Sequence, residues 1–191
     1  MKKPYHHGNL KNALVEQAIQ LLESDGLSAL SLRRVARETG VSQAAPYSHF
    51  KDKRALLAAV ASEGYKRFTA TMRREAELNP DTYTLSLGKG YVFFALDNPA
   101  LFHLMFDGEI AEYLDVEDLD KEASESYQIL VDGVAQHGFG STHDSSLGAA
   151  VAWSLVHGLA TLLLNKNFTP KDYGFTKMDN FVEHVLTSSF K

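Results

Sequence analysis

The sequence predicts an all-α protein of about nine helices. Apolar residues recur at spacings of three and four along most of the chain, as they do on the buried face of a helix. No segment alternates apolar and polar residues in the manner of a half-buried strand, and no internal repeat is visible. Gly26, Gly40, Pro80 and Pro99 interrupt the periodic segments and mark where helices end or begin.

Three short helices are predicted within residues 1–51. The first covers residues 9–25, and the second follows Ser31, which is placed to cap it, and ends at Gly40. The third is predicted to run from its cap Ser42 to about Phe50. The short turn TGVS between the second and third helices is typical of a helix-turn-helix motif. Residues 1–51 are therefore predicted to form a head, and residues 52–191 a helical bundle body.

Pro46 falls inside the third predicted helix and fixes where that helix begins. A proline in a helix interior costs about 3 kcal/mol or more, whereas the first four N–H groups of a helix have no partner to lose. With Ser42 as the cap, Pro46 forfeits at most one hydrogen bond. Some strain is expected at Ala45, because the residue before a proline is pushed away from helical angles.

Six further helices are predicted in the body. They cover residues 52–77, residues 82–96 after the break NPD, a segment around Phe102 after DNPA, the end of an acidic stretch on to about His137, residues 145–165 and residues 177–188. Ser141 and Asp144 have the spacing of a capping box at the start of the eighth helix.

Charge is divided unevenly between head and body. Residues 1–54 contain nine Lys/Arg and five Asp/Glu, whereas the other 137 residues contain ten and nineteen, within a net charge of −5. A basic head on an acidic body indicates that only the head binds a polyanion.

Composition excludes several other classes. The chain has no cysteine, which excludes disulfides and thiolate metal sites and suits a reducing cytoplasm. Its start carries two lysines but no apolar segment of the kind found in secretion signals. The uncharged segment 145–165 has the length of a membrane span, but it contains several polar residues and stands alone. A helix buried among other helices explains it better, so a cytoplasmic protein without a membrane segment is expected.

The third helix carries side chains suited to DNA. Gln43 is of the type that pairs with adenine N6 and N7, and Ala44 is small enough to enter the major groove and contact a thymine methyl. Tyr47, Ser48 and His49 offer donors to phosphates.

Three basic residues in the sequence KDKR open the fourth helix. Such residues oppose the helix dipole by about 0.3–1 kcal/mol each. A phosphate bound at this N-terminus, with Lys53 as an added charge, would reverse that penalty. A solvated charged turn is the alternative interpretation.

Residues 31–57, SLRRVARETGVSQAAPYSHFKDKRALL, resemble the TetR family of transcriptional regulators. They follow that family's pattern of helix two, turn, recognition helix and Y-x-H-F-x-x-K-x-x-L, although Pro46 stands where Leu or Val is more usual. The resemblance, dense over residues 6–65, implies a DNA-binding head and a helical remainder that binds a small effector and forms the dimer. It implies base contacts from Gln43, Ala44 and Ala45, and backbone contacts from Ser31, Arg33, Tyr47, His49 and Lys53. Ser42 and Ser48 complete the predicted DNA-binding set.

Trp153, His157 and Gly158 form a Trp-x-x-x-His-Gly pattern that resembles the WHG subgroup of TetR C-terminal domains. The family resemblance also implies an effector cavity among helices four to eight. Large side chains at helical spacing supply candidate contacts, although most of them are expected to belong to the core. The candidate effector-binding residues are Phe68, Tyr91, Phe94, Phe102, Met105, Phe106, Tyr127, Trp153 and His157.

No catalytic residue, metal site or cofactor is predicted. The eight histidines include no helical His-x-x-x-His pair with a glutamate between them, and the chain has no glycine-rich phosphate loop. His157 is the only histidine inside a strongly apolar helix, where it either lines a pocket or is a satisfied core residue.

A homodimer is predicted, because one short helix covers too few bases for useful specificity. The eighth helix carries small residues that would let a partner helix approach: Gly148, Ala149, Ala152, Gly158 and Ala160. The ninth helix supplies a second apolar stripe: Phe181, Val182, Val185 and Leu186. Two helices from each chain would form a four-helix bundle. The alternative is that the eighth helix is buried within its own subunit.

Two functions follow from these observations. The first is a DNA-binding transcriptional regulator, a repressor that a small, partly apolar effector releases from a palindromic double-stranded operator. The alternative is a helical small-molecule carrier or enzyme whose basic head is incidental. A variant of the first function keeps the DNA binding but has no effector.

Overall fold

A computed structural model of the chain describes residues 10–106, 108, 117–138 and 144–189. These ranges contain eight α-helices and no strand, which confirms the all-α prediction. The helices are α1 (Leu10–Asp25), α2 (Leu32–Thr39), α3 (Lys53–Leu78), α4 (Tyr83–Asp97), α5 (Pro99–Met105), α6 (Glu117–His137), α7 (Ser145–Leu164) and α8 (Met178–Ser189). Short 3-10 helices lie at Leu27–Ala29, Ala45–Ser48, Pro80–Thr82 and Pro170–Tyr173.

Local chemistry sets both ends of α2. The Ser31 hydroxyl oxygen accepts a hydrogen bond from the backbone N–H of Arg34 at 3.2 Å, as an N-cap does. Gly40 ends the helix with φ at +78°, a conformation that glycine adopts without a Cβ penalty. The N–H of Val41 then donates to the carbonyl of Ala36 at 3.0 Å, which satisfies one of the last carbonyls of the helix.

The third predicted helix is a 3-10 helix, Ala45–Ser48, and not the α-helix predicted from Ser42 to Phe50. Pro46 is the cause, since it has no N–H to donate and disfavours α-helical angles at the residue before it. The N–H of Ala45 donates to the carbonyl of Ser42, three residues earlier, at 3.0 Å. That spacing is the one typical of a 3-10 helix. The prediction of an α-helix capped by the Ser42 side chain was therefore wrong.

The chain divides into two compact units. Unit 1 comprises Met1–Gly64 and Ala100–Asp120, and unit 2 comprises Tyr65–Pro99 and Lys121–Lys191. Helix α3 contributes its first part to unit 1 and its second part to unit 2.

Unit 1 joins α5 to α1 and to the first part of α3. The carboxylate of Glu23 in α1 accepts from the N–H groups of Ala100 at 3.2 Å and Leu101 at 2.8 Å, so it caps the N-terminus of α5. At the other end of α5, Met105 packs against Gly64 of α3, where a Cβ would lie 2.7 Å from the methionine sulfur. Helix α5 is thus held at both ends within unit 1.

Helix α4 is at the centre of unit 2 and packs against α7 and α8. It crosses α3 closely, because a Cβ on Gly90 would lie 2.9 Å from the Cα of Met72. Leu130 and Val134 of α6 pack with small residues of α7. Phe181, Val182 and Leu186 attach α8 to this core.

Most of the residues predicted for the dimer interface are covered by their own chain. Four of the five small residues of α7 are buried: Gly148, Ala149, Ala152 and Ala160. Three residues of the predicted stripe on α8 are also buried: Phe181, Val182 and Leu186. The small side chains let α7 approach α4 and α6 within one subunit. The face of α7 that carries them is therefore buried within its own subunit, as the alternative interpretation predicts.

Helix α7 begins differently from the prediction. Asp144 is itself the N-cap and accepts from the N–H groups of Ser146 at 2.9 Å and Leu147 at 3.1 Å. The predicted capping box was wrong in giving Asp144 the third position after a cap, and Ser141 lies outside the described residues. A capping box does occur at the 3-10 helix Pro170–Tyr173.

Among the described residues, α7 alone is long and apolar enough to cross a membrane. One such helix is weak evidence for a span, because the core helix of a globular protein has the same length and composition. One face of α7 packs inside unit 2.

Candidate functional site

Most of the predicted DNA-contacting residues lie on one short segment of unit 1, residues 42–49. Pro46 and Phe50 are buried and attach this segment to the core. The side chains around them are exposed: Ser42, Gln43, Ala44, Tyr47, Ser48 and His49. Ala45 is half-buried, so it is the least accessible of the three residues predicted to face bases.

The helical part of this segment is shorter than predicted, because it has only four residues. Its four residues rise by roughly 2 Å each, so the helix is about 8 Å long. Base pairs stack at about 3.4 Å, so the segment spans two to three base pairs at most. Side-chain contacts from the preceding turn, where Gln43 and Ala44 lie, add to this reach.

Two serines of the predicted set also support the local fold. The oxygen of Ser31 caps α2, and the hydroxyl of Ser48 donates to the carbonyl of Ala45 at 2.7 Å. Arg33 is exposed on the first turn of α2.

The start of α3 carries an acidic cap in addition to the three basic residues of KDKR. Asp52 accepts from the N–H of Ala55 at 2.9 Å, so the helix has an acidic cap that complements its dipole. The ammonium group of Lys53 donates to the carbonyl of Leu27 at 3.0 Å and ties α3 to the 3-10 helix Leu27–Ala29. The capping role of Asp52 was missed, although an aspartate before a helical run is a typical capping signal. Binding of a phosphate here remains a prediction.

Part of the positive charge of the head is paired within it. Arg34 forms an ion pair with Asp25 and also donates to the carbonyl of Ala29. Arg37 pairs with Glu38 at 2.9 Å. The exposed side chains of Lys51 and Arg33 therefore contribute more to the binding of a polyanion than the total charge of the head suggests.

A polar network connects α4 and α7 within unit 2. The indole N–H of Trp153 donates to the hydroxyl oxygen of Tyr91 at 3.1 Å, and this hydroxyl lies 2.8 Å from Nδ1 of His157. Burial raises the pKa of Tyr91 and lowers the pKa of His157 below its ordinary value of 6.5. A neutral imidazole is able to accept the tyrosine hydrogen at Nδ1. The Trp and His of the WHG pattern thus bind the same tyrosine.

Aromatic rings surround this network. The ring of Phe68 lies 4.7 Å from that of Tyr91 and 5.2 Å from that of Phe94, measured between centroids. Tyr127 of α6 lies 5.8 Å from Trp153, and both side chains are partly exposed. Burial also raises the pKa of Tyr65 to about 12. Tyr65 was not among the predicted effector residues.

The structure places the predicted effector residues in both units. Six of them belong to unit 2: Phe68, Tyr91, Phe94, Tyr127, Trp153 and His157. Phe102, Met105 and Phe106 belong to unit 1, where the rings of Phe102 and Phe106 are 4.8 Å apart.

Two stretches of the chain match known families. Residues 14–60 match the bacterial regulatory proteins of the tetR family, and residues 84–188, more than half of the chain, match the tetracyclin repressor-like C-terminal domain. The chain belongs to the TetR family. It is thus a DNA-binding transcriptional regulator, and the predicted family and class of function are confirmed.

Individual proteins are similar to this chain over different lengths. The chain is 26% identical over 164 residues to the uncharacterized HTH-type transcriptional regulator YobS of Bacillus subtilis, which covers 84% of this chain and 82% of YobS. It is 47% identical over 51 residues to the tetracycline repressor protein class C of Escherichia coli, but that match spans only 27% of this chain and 23% of the repressor. A solved protein of unknown function from Rhodococcus sp. RHA1 is 34% identical, with a TM-score of 0.80 and full coverage of both chains.

Proposed function

We propose that this TetR-family chain is a cytoplasmic repressor that binds a palindromic double-stranded operator as a homodimer and leaves it when a small, partly apolar effector binds. Residues 1–51 contact DNA, and residues 52–191 bind the effector and the second subunit. The observation that carries the proposal is the exposed Gln43–Ala44 turn held on the buried anchors Pro46 and Phe50. A rigidly held, exposed glutamine is suited to reading adenine in the major groove.

Phosphate contacts surround the base-reading turn. Tyr47, Ser48 and His49 are exposed and carry donors, and Arg33 and Lys51 add positive charge. Contacts of this kind fix the register of the head on the duplex and make binding depend on salt.

A second copy of the chain is proposed to cover the outer face of α7. Leu147, Val151 and Leu162 are 57%, 50% and 42% exposed, and their spacing places them on one side of the helix. Gly158 lies between them, and a Cβ there would meet nothing within 4 Å. A glycine on an exposed apolar stripe lets a partner helix approach closely. This face replaces the buried small residues from which the dimer was first predicted.

The effector is proposed to bind in unit 2 beside the Tyr91–Trp153–His157 network. The rings of Phe68 and Phe94 supply apolar surface there, and the network supplies polar groups. An effector releases DNA only if it binds one conformation of the dimer better than the other.

The proposal is tested by selecting bound duplexes from a random DNA pool, followed by a salt titration on the selected site. A repressor of this kind enriches a two-fold symmetric site, and the slope of log affinity against log salt falls by roughly 0.9 for each phosphate neutralised. Gln136→Ala, at an exposed position of α6, is a matched control for head variants. Failure to enrich any sequence would contradict the proposal.

A further inference from the structure

Thr69 is a buried hydroxyl without a partner in the middle of α3. The residue is 6% exposed, and its Oγ1 has no hydrogen bond. Among the described residues, one other buried side-chain polar atom has no hydrogen-bond partner, and it is Nε of Arg34. That guanidinium uses its remaining nitrogens on Asp25 and Ala29. Thr69 has a single polar side-chain atom, so the whole group is unsatisfied.

The other buried serine and threonine hydroxyls described in unit 2 are satisfied. Thr84 donates to the carbonyl of Gly138 at 3.2 Å, and Ser126 donates to the carbonyl of Ala123 at 2.7 Å. Native proteins pair nearly all of their buried polar groups, and the exceptions call for an explanation. Thr69 is therefore a specific exception and does not reflect a general shortage of partners in this unit.

The position of Thr69 on α3 places it between two helices. Lys66, three residues before it, pairs with Glu122 of α6 at 3.7 Å, and Arg73, four residues after it, pairs with Glu125 of α6 at 3.6 Å. Residues at these spacings share a face of a helix.

Two other neighbours of Thr69 on α3, Phe68 and Met72, contact α4. Phe68 stacks edge-on against Tyr91, and the backbone of Met72 meets Gly90. The hydroxyl of Thr69 therefore lies between the side of α3 that faces α6 and the side that faces α4.

We propose that Thr69 anchors the effector by a hydrogen bond to the one polar group of a small, uncharged and otherwise apolar molecule, an alcohol or a ketone. This inference rests on the proposed function and specifies the chemistry of its ligand. An uncharged ligand fits because a single neutral hydroxyl at a buried position does not offset the desolvation of an ion. A threonine hydroxyl both donates and accepts, so it pairs with an alcohol or with a carbonyl oxygen.

The first test needs no ligand. Thr69→Val keeps the shape of the side chain and removes the hydroxyl, and Thr69→Ser keeps the hydroxyl. If Oγ1 is unpaired in the free protein, Thr69→Val melts at the wild-type temperature or about 2–4 °C above it. Thr69→Ser should show no increase in melting temperature, because it retains the unpaired hydroxyl. A Thr69→Val protein that melts clearly below wild type while Thr69→Ser does not would show that the hydroxyl is already paired, and would overturn the proposal.

The second test uses two probes that differ only by one hydroxyl group, 2-phenylethanol and ethylbenzene, whose dissociation constants are measured by titration calorimetry against wild type and both variants. Thr69→Val should weaken 2-phenylethanol by about tenfold more than ethylbenzene, because only the alcohol loses a hydrogen bond. Thr69→Ser should keep the preference of the wild type. Equal effects on both probes, or no binding of either probe to the wild-type protein, would overturn the proposal.

Operator binding separates this inference from the function on which it rests. In the absence of probes, Thr69→Val should bind the selected DNA with wild-type affinity, since Thr69 lies outside unit 1. If wild type binds no DNA selectively, the proposed function fails. If both proteins bind the operator but the two probes behave alike, the anchoring role of Thr69 fails and the repressor remains.

Discussion

Gly90→Ala is expected to destabilise the protein, although alanine favours helices. The new Cβ would lie 2.9 Å from the Cα of Met72 and 3.3 Å from the carbonyl oxygen of Thr71. Carbon atoms prefer separations of 3.5–4.0 Å, so the crossing of α3 and α4 must widen by about 0.6–1.1 Å. Both atoms belong to the backbone of α3, so no side-chain rotation relieves the contact.

Two opposing terms set the magnitude. Replacing glycine by alanine inside a helix stabilises by about 1 kcal/mol, whereas overpacking costs about 1–3 kcal/mol. Gly158→Ala is the matched control, because it adds the same methyl to a helix where nothing lies within 4 Å. The propensity term cancels between the two variants, so Gly90→Ala should be less stable than Gly158→Ala by about 1–3 kcal/mol.

Gly88→Ala gives an intermediate case. Its Cβ would lie 3.2 Å from Val156 and 3.3 Å from Leu186, and both contacts are with side-chain methyl groups that are able to move. The expected order of stability is therefore Gly158→Ala, then Gly88→Ala, then Gly90→Ala.

The assay is thermal unfolding followed by circular dichroism, at two protein concentrations. The difference between Gly158→Ala and Gly90→Ala corresponds to roughly 2–12 °C in Tm for a chain of this size. Dependence of Tm on concentration identifies any effect on association, which matters for Gly158 on the exposed face of α7. If Gly90→Ala melts at or above the temperature of Gly158→Ala, and Gly158→Ala leaves the dependence of Tm on protein concentration unchanged, the close crossing of α3 and α4 is refuted.

Three further predictions concern DNA, the dimer and pH. Gln43→Ala is expected to lower the preference for one base pair of each half-site by about 1–3 kcal/mol, whereas Lys53→Ala should weaken cognate and scrambled DNA alike and reduce the salt slope by about one. Fluorescence anisotropy measures the affinity of each variant for both duplexes. If Gln43→Ala keeps the wild-type ratio of cognate to scrambled affinity, the glutamine contacts no base specifically. Val151→Asp should give helical monomers in sedimentation velocity, whereas Ala152→Leu should lower Tm, since Ala152 is buried in its own subunit; a dimeric Val151→Asp would place the interface elsewhere. Because burial lowers the pKa of His157, its neutral form contributes stability that is complete above its ordinary pKa of 6.5 and is lost as the pH falls toward the lower folded pKa. Melting curves between about pH 7.5 and 5.5 should therefore show a smaller loss of Tm in His157→Gln than in wild type, and parallel losses would count against this role of His157.

Helix ends that depend on one local residue could be predicted from the sequence. Ser31 and Gly40 bound α2 as expected, because a capping hydroxyl and a left-handed glycine act within a few residues of themselves. The start of α7 was harder, since Ser141 and Asp144 are both good caps and only the three-dimensional path of the chain chooses between them.

The conformation of the recognition segment depended on a balance between two local effects. Pro46 is tolerated in the first turn of an α-helix, but it also restrains Ala45, and the second effect prevailed. The sequence predicts strain at Ala45 but not the 3-10 helix that the structure has. The identities of the exposed residues could still be predicted, because Gln43 and Ala44 are exposed in either conformation.

The faces of α7 could not be assigned from its sequence. The helix is apolar nearly all round, so periodicity does not distinguish the side that packs on α4 and α6 from the side that is exposed. Only the structure shows that Ala152 faces inward and Leu147 outward. The bond of Lys53 to Leu27 and the missing partner of Thr69 likewise depend on contacts between segments distant in sequence.

The cap that Glu23 places on α5 has a consequence for building hybrid regulators. An exchange of heads between relatives would naturally be cut near the end of the matched N-terminal region, at residue 60. Such a cut replaces Glu23 while keeping the N–H groups of Ala100 and Leu101 that it caps. A hybrid is therefore expected to fold well only if the incoming head carries a carboxylate at the position of Glu23, or if residues 100–105 are transplanted together with it.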